Sequence, residues 1–166
     1  MRLLVVGIGF AFLTAACGGS AATTNGKPGS GSATATVAVR QVAGVGKVLT
    51  GRDGHSLYFL DHESSGHFLC TGACTSTWPP LAATGSPVAG PGLSGTLGMV
   101  MRPDGTQQVT FQGHPLYAFA HDSAPGQTNG NGITGTFQGV TATWHVATSA
   151  GAVATSPSSG SGGYGY

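Results

Sequence analysis

The sequence contains few charged residues: Asp, Glu, Lys and Arg together make up 7 % of 166 residues, against roughly 25 % in an average soluble protein. Six Lys and Arg balance five Asp and Glu, and no basic run occurs. Nucleic-acid binding depends on clustered Lys and Arg that neutralise phosphates. We therefore expect no nucleic acid among the partners of this protein.

Sustained helical periodicity is also missing beyond the N-terminus, because 30 Gly and 9 Pro interrupt the chain. The remaining apolar runs are short and are separated by turn sequences, which is typical of β-strands. The sequence therefore predicts an all-β fold, a compact antiparallel sheet or sandwich-like domain, with flexible Gly/Ser-rich tails at both ends.

The one long apolar run lies at the N-terminus, from Leu3 to Leu13, after Arg2. As a helix it would span about 16 Å, roughly half of a bilayer's hydrocarbon core, which favours a signal peptide over a membrane anchor. Cys17 follows Ala15-Ala16 and resembles the acylated cysteine of bacterial lipoproteins. We predict a lipoprotein signal peptide over residues 1–16 and lipidation of Cys17, followed by a flexible tether over 17–36. An ordinary secreted protein is the alternative.

The protein has only three cysteines. Assigning Cys17 to the lipid leaves Cys70 and Cys74, separated by a short segment that contains Gly72. In an exported protein such a pair is expected to form a disulfide. A redox-active pair and a thiolate metal site are the alternatives, although one pair lacks the four-ligand pattern of structural zinc.

Two segments of the chain resemble each other: Gly54–Tyr58 matches Gly113–Tyr117 at four of five positions. Each match is followed by an acidic residue, and each unit closes on a tryptophan. These paired residues are Glu63 and Asp122, and Trp78 and Trp144. We predict β repeat 1 over residues 37–81, an inter-repeat linker over 82–95, β repeat 2 over 96–149 and a disordered tail over 150–166.

Asp-Gly turns between apolar runs predict a hairpin in each repeat. In the first repeat, Lys47–Thr50 and Ser56–Leu60 flank a turn at 52–54. In the second, Leu97–Met101 and Gln107–Phe111 flank a turn at 102–105 that contains Pro103. Further strands are expected at 116–120 and at about 143–148.

Several of these motifs resemble a family of bacterial secreted-repeat lipoproteins of unknown function. Tyr117-Ala118-Phe119-Ala120-His121-Asp122 fits the family's Tyr-x-aromatic-x-x-Asp motif, while Cys70-x-Gly-x-Cys74 and Trp78-Pro79-Pro80 fit its first unit. The first unit departs from the family at Leu60, where an aromatic is expected, and at Glu63, where Asp is. The resemblance implies export and a tandem architecture, but no reaction.

The motif residues allow a structural and a chemical interpretation. In the structural one, Tyr58, Tyr117 and Phe119 are core residues, Glu63 and Asp122 accept backbone N–H bonds at turns, and Trp78 and Trp144 anchor the core. In the chemical one, the repeat-related His62 and His121 bind copper, zinc or haem, because imidazole suits these metals.

Catalytic signatures are lacking. His62 and His67 lie too far apart for a zinc-protease helix, and the sequence contains no nucleophile elbow, phosphate loop or dinucleotide fingerprint. We therefore expect a non-enzymatic envelope lipoprotein without a cofactor, held on the membrane by its lipid and acting in binding, with an envelope protein as partner, or in surface structure. The alternative is an extracytoplasmic metal or redox module that uses His62, His121 and the Cys70/Cys74 pair.

Overall fold

A computed structural model describes residues 36–151. The predicted signal peptide, the lipidation site at Cys17, nearly all of the tether and residues 152–166 of the predicted tail lie outside the described residues. Within residues 36–151, no helix has the length and apolar character needed to cross a bilayer.

The fold is all-β, as predicted, and consists of three small antiparallel sheets. Their strand orders are β1-β2, β3-β8-β7 and β4-β5-β6. One short helix, α1, follows β3. The elements are β1 (Ala38–Val42), β2 (Gly46–Thr50), β3 (Tyr58–Leu60), α1 (Cys74–Thr77), β4 (Leu97–Met101), β5 (Gln107–Phe111), β6 (His114–Pro115), β7 (Thr134–Phe137) and β8 (Val140–Val146).

The second predicted hairpin forms with its expected bounds, β4 and β5, and Gly105 N donates to Arg102 O (3.0 Å) across its turn. The predicted strand at 116–120 does not form, and only Tyr117 makes bridge pairs there. The reason lies in its neighbours: Ala118 N donates to Pro79 O (2.9 Å), and Pro79 and Pro80 have no N–H with which to continue a ladder.

The two halves of the chain make equivalent backbone hydrogen bonds. In the first half, Leu57 N donates to Leu49 O (2.8 Å), and Leu57 O accepts from Ala147 N (2.8 Å). The corresponding bonds of the second half are Leu116 N to Val109 O (3.0 Å) and Leu81 N to Leu116 O (2.8 Å). In both halves, the chain after the tryptophan therefore pairs with the other half.

The core comprises two apolar clusters. The first surrounds the two tryptophans and includes Tyr58, Tyr117 and Leu60. The second is aliphatic, with Phe59 and Phe111 as its aromatic members. Strand alternation explains the division, because Tyr58 and Leu60 point to one side of β3 while Leu57 and Phe59 point to the other.

Candidate functional site

The centre of the candidate site is the direct pairing of Tyr58 with Tyr117. Tyr58 N donates to Tyr117 O (2.8 Å), and Tyr117 N donates to Tyr58 O (2.9 Å). Both side chains are fully buried. This reciprocal pair relates Tyr58 and Tyr117, one from each half, by an approximate two-fold axis. The other motif residues lie around this axis.

Each of the two acidic residues accepts a hydrogen bond from the tyrosine of the other half. Tyr58 Oη donates to Asp122 Oδ2 (2.6 Å), and Tyr117 Oη donates to Glu63 Oε2 (2.8 Å). The second oxygen of each acid holds its own loop: Glu63 Oε1 accepts from Leu69 N and Cys70 N (both 2.7 Å). In the same way, Asp122 Oδ1 accepts from the backbone N–H of residue 129 (3.1 Å). Each acid thus joins a loop of one half to the tyrosine of the other.

The two tryptophans stack on each other across the same centre. Their rings are 3.8 Å apart and inclined by 8°, and both are fully buried. Tyr58 meets Trp78 edge-on (5.5 Å), and Tyr117 meets Trp144 in the same way (5.0 Å). Phe119 stacks on the outer face of the pair, 4.4 Å from Trp78. Neighbouring aromatic rings cover both tryptophans, so the described fold leaves no tryptophan face open to a ligand.

Arg102 is a buried cation that the sequence motifs did not reveal, since it was assigned only to a turn. Its side chain is 1 % exposed. Nη1 donates to Tyr117 Oη (2.9 Å) and to Gln108 Oε1 (2.6 Å), and Nη2 donates to Cys70 O (2.7 Å). Nε lies 3.5 Å from Asp104 Oδ2, which is an ion-pair distance. The guanidinium and the Glu63 carboxylate therefore share one tyrosine hydroxyl.

Burial governs the protonation of these groups. It raises the pKa of Glu63 above its ordinary value, while hydrogen bonds from Cys70 N, Tyr117 Oη and Leu69 N and the charge of Arg102 oppose the rise. Burial also raises the pKa of Tyr58, and the Asp122 carboxylate adds to that effect. For Tyr117, burial and the charge of Glu63 raise the pKa, and Arg102 counteracts them. Both tyrosines therefore stay protonated at pH values well above those at which an ordinary tyrosine ionises.

The two halves differ in the residues that line this network. The turn that begins at Arg102 corresponds to the one that begins at Val42, because Gly105 N donates to Arg102 O (3.0 Å) and Val45 N to Val42 O (3.2 Å). Val42 packs against the aromatic cluster. Gln108 likewise corresponds to the buried Val48. One half is therefore lined by a cation and an amide, and the other by two valines.

The disulfide between Cys70 and Cys74 is present, as predicted. Cys70 supplies its N–H to Glu63 and its carbonyl to Arg102. Cys74 begins α1, and its carbonyl accepts from Trp78 N (2.9 Å). The crosslink therefore connects the buried polar network to the stacked tryptophans.

The histidines of the metal hypothesis occupy different surroundings. His62 is exposed in the left-handed region (φ 64°), and its carbonyl lies 3.1 Å from His67 Nδ1. His121 packs edge-on against Phe119 (5.2 Å). Among residues 36–151, no group of three or more His, Cys, Asp or Glu is placed to hold a metal ion.

Comparison with protein families places part of the chain close to a known family. Residues 98–148 match the model of a family described as a secreted repeat of unknown function. No curated protein and no solved structure matches the chain. The matched segment runs from β4 to just past β8 and includes Arg102, Tyr117, Asp122 and Trp144. The predicted resemblance to a secreted-repeat family of unknown function is therefore confirmed over residues 98–148.

Proposed function

We propose that this protein is a membrane-anchored extracytoplasmic lipoprotein whose β module serves the cell envelope as a non-enzymatic binding or structural unit. The secreted-repeat match supports export. Cys17 after a short apolar run supports attachment by lipid, since two acyl chains give stable anchoring where one is marginal. The disulfide supports an oxidising compartment outside the cytosol.

One observation supports the non-enzymatic part of the proposal: the polar groups of the motif form hydrogen bonds with one another. The Tyr58 and Tyr117 hydroxyls donate to Asp122 and Glu63, and all four residues are at most 5 % exposed. A group that acts on substrate must reach it within hydrogen-bond distance. Acids and hydroxyls enclosed between two halves of a domain serve instead to hold those halves together.

Metabolic labelling with a palmitate analogue tests the anchor in cells that express the full chain. We expect the wild-type protein to be labelled and to sediment with membranes, and the Cys17→Ala variant to be unlabelled. A matched control replaces the other two cysteines (Cys70→Ala with Cys74→Ala) and should keep the label. Labelling of Cys17→Ala, or an unlabelled wild-type protein, contradicts the proposal.

The oxidation state of Cys70 and Cys74 tests export separately from lipidation. Alkylation of the Cys17→Ala protein with a mass tag should modify neither Cys70 nor Cys74 unless a reductant is added. Deleting residues 2–16 should keep the chain in the cytosol, where thiols stay reduced, and both cysteines should then react. Equal reactivity of the two proteins would argue against an exported, oxidised module.

A further inference from the structure

Strand β4 lies at the edge of the β4-β5-β6 sheet. At its two ends, Gln112 N donates to Thr96 O (2.9 Å) and Arg102 N donates to Thr106 O (2.9 Å). In an antiparallel ladder, alternate residues of a strand bond to the neighbouring strand. The residues between these alternate ones therefore direct their N–H and C=O groups away from β5. They are Leu97, Met99 and Met101.

The outer side of β4 is apolar as well as open. Within residues 36–151, no backbone hydrogen bond reaches the outward N–H and C=O groups of this strand. Its sequence, Leu-Gly-Met-Val-Met, has no charge and no proline, and Met101 is 55 % exposed. Leu97 and Met99 pack against the aliphatic cluster and are only partly buried. An exposed, uncharged edge strand of this kind pairs readily with another strand.

The equivalent edge of the first half, β1, carries the protection that β4 lacks. Ala38 pairs with Thr50 and Gly98 pairs with Thr110, so Ala38 and Gly98 occupy equivalent positions. Two residues further on, β1 has Arg40 where β4 has Val100. A charged residue on an edge strand discourages pairing with other chains.

The next position shows the same contrast, because exposed Gln41 of β1 corresponds to exposed Met101 of β4. The start of β1 is also covered by the linker: Gly90 N donates to Val37 O (2.8 Å), and Val37 is fully buried. Its counterpart Leu97 is only half-buried. The two related edges therefore differ in charge, polarity and cover.

A second β4 strand fits this edge when it runs antiparallel about a two-fold axis at Met99. Leu97 of one copy then lies opposite Met101 of the other, and Met99 lies opposite its own counterpart. Every outward N–H and C=O group between Leu97 and Met101 finds a partner in this register. The ladder ends where it should, because Pro103 has no N–H with which to continue it.

The side chains and charges also suit a second copy. The strand is uncharged, so pairing with itself brings no like charges together, and apolar side chains lie opposite one another. The edge is about 17 Å long at ~3.4 Å per residue and roughly 10 Å thick. It therefore covers much less than the ~800 Å² per partner of a standard interface. We expect a weak, reversible dimer that depends on protein concentration.

We propose that β4 is a docking edge for a second copy of this chain, which adds its own β4 in antiparallel pairing with Met99 on the two-fold axis. The two three-stranded sheets become one continuous sheet, and their aliphatic clusters meet through Leu97 and Met99. Each copy covers the edge of the other, so the interface closes at two copies. This pairing does not depend on the proposed lipid anchor and is tested without it.

Cysteine crosslinking of the full chain in a Cys17→Ala background tests the register. The other two native cysteines are joined in a disulfide. Across the axis, the Cα atoms of Met99→Cys lie ~5.5 Å apart, which suits a disulfide. Those of Met101→Cys lie ~14 Å apart along the paired strands, which is too far. We expect mild oxidation to link Met99→Cys about tenfold faster than Met101→Cys, although Met101 is the more exposed residue.

The protected edge of the first half supplies a second variant. Val100→Arg with Met101→Gln places the residues of β1 at the equivalent positions of β4. Added to Met99→Cys, these substitutions should slow dimer formation about tenfold. Neither position is buried, so the midpoint of urea unfolding should stay that of Met99→Cys alone.

Three results would overturn the proposal. Crosslinking of Met101→Cys as fast as that of Met99→Cys indicates random collision. Crosslinking of Met99→Cys that Val100→Arg with Met101→Gln does not slow indicates contact through another surface. A Met99→Cys thiol that reacts with neither the oxidant nor an alkylating reagent in the folded protein indicates that the same chain covers this edge.

Discussion

Raising the pH above about 10 should destabilise this domain through its two central tyrosines. The ordinary pKa of a tyrosine is 10.0, and burial beside a carboxylate raises those of Tyr58 and Tyr117 well above it. In alkaline solution the unfolded chain loses these protons while the folded chain keeps them. Folding stability therefore falls as pH rises through the unfolded-state value.

The size of the effect follows from proton linkage. Each tyrosine that remains protonated in the fold costs ~1.4 kcal/mol of stability per pH unit above its unfolded pKa. Two such residues cost about 2.7 kcal/mol between about pH 9 and about pH 11. This is a large part of the 5–15 kcal/mol that typically stabilises a domain.

Urea unfolding followed by tryptophan fluorescence measures this loss at several pH values. A Tyr164→Phe, Tyr166→Phe background leaves Tyr58 and Tyr117 as the only tyrosines, since the sequence contains four. Further replacement of Tyr117 by Phe should lower neutral stability by removing a buried hydrogen bond, and should also halve the alkaline slope. Tyrosinate absorbance that develops near pH 10 in the still-folded background protein would refute the reasoning.

Three core substitutions test the remaining contacts by urea unfolding at neutral pH. Trp144→Ala removes one ring of the 3.8 Å stack and should cost ~3–5 kcal/mol; a near-neutral effect would mean that the ring is not buried. Arg102→Met leaves the Cys70 carbonyl and Gln108 without their donor and Glu63 without a cation, so we expect a loss of roughly 3–5 kcal/mol, against a small change for exposed Arg52→Met. Gly130→Ala places a Cβ 2.7 Å from Trp78 Cη2 and should cost ~1–3 kcal/mol; unchanged stability would show that this contact relaxes freely.

Local sequence rules located much of the β structure because they concern neighbouring residues. The Asp-Gly turn after Pro103 fixes the β4–β5 hairpin within a few residues of chain. The close spacing of Cys70 and Cys74, in a chain with a predicted signal peptide, was likewise enough to predict their disulfide. By contrast, β1 and β7 were not predicted, because their own sequences give a weak strand pattern: β1 contains Arg40 and Gln41, and β7 alternates Thr with Gly before Phe137.

The buried network could not be predicted, because its partners are distant in the sequence. The hydroxyl of Tyr58 meets an acid 64 residues away, and that of Tyr117 meets one 54 residues away. Arg102 was the hardest residue to place, since a charged residue beside Pro and Asp-Gly is typical of an exposed turn. The position equivalent to Arg102 in the first half is held by Val42, which packs against the aromatic cluster. An apolar residue at that position was the signal in the sequence that could have indicated burial of Arg102.

The contacts between the two halves of the described chain show that the segment matching the secreted-repeat family is completed by residues that precede it in the sequence. Within the matched segment, 98–148, the hydroxyl of Tyr117 depends on Glu63, and the ring of Trp144 depends on Trp78. Strand β8 also pairs with β3 of the first half. The segment 98–148 alone would expose the face of Trp144 that stacks on Trp78 and would leave the Tyr117 hydroxyl without Glu63. It would therefore lose buried apolar surface and a hydrogen bond, both of which a unit of this size needs for stability. The buried motif residues therefore form an interface between the two halves, in which each half supplies an acid to the tyrosine of the other and one tryptophan to the shared stack.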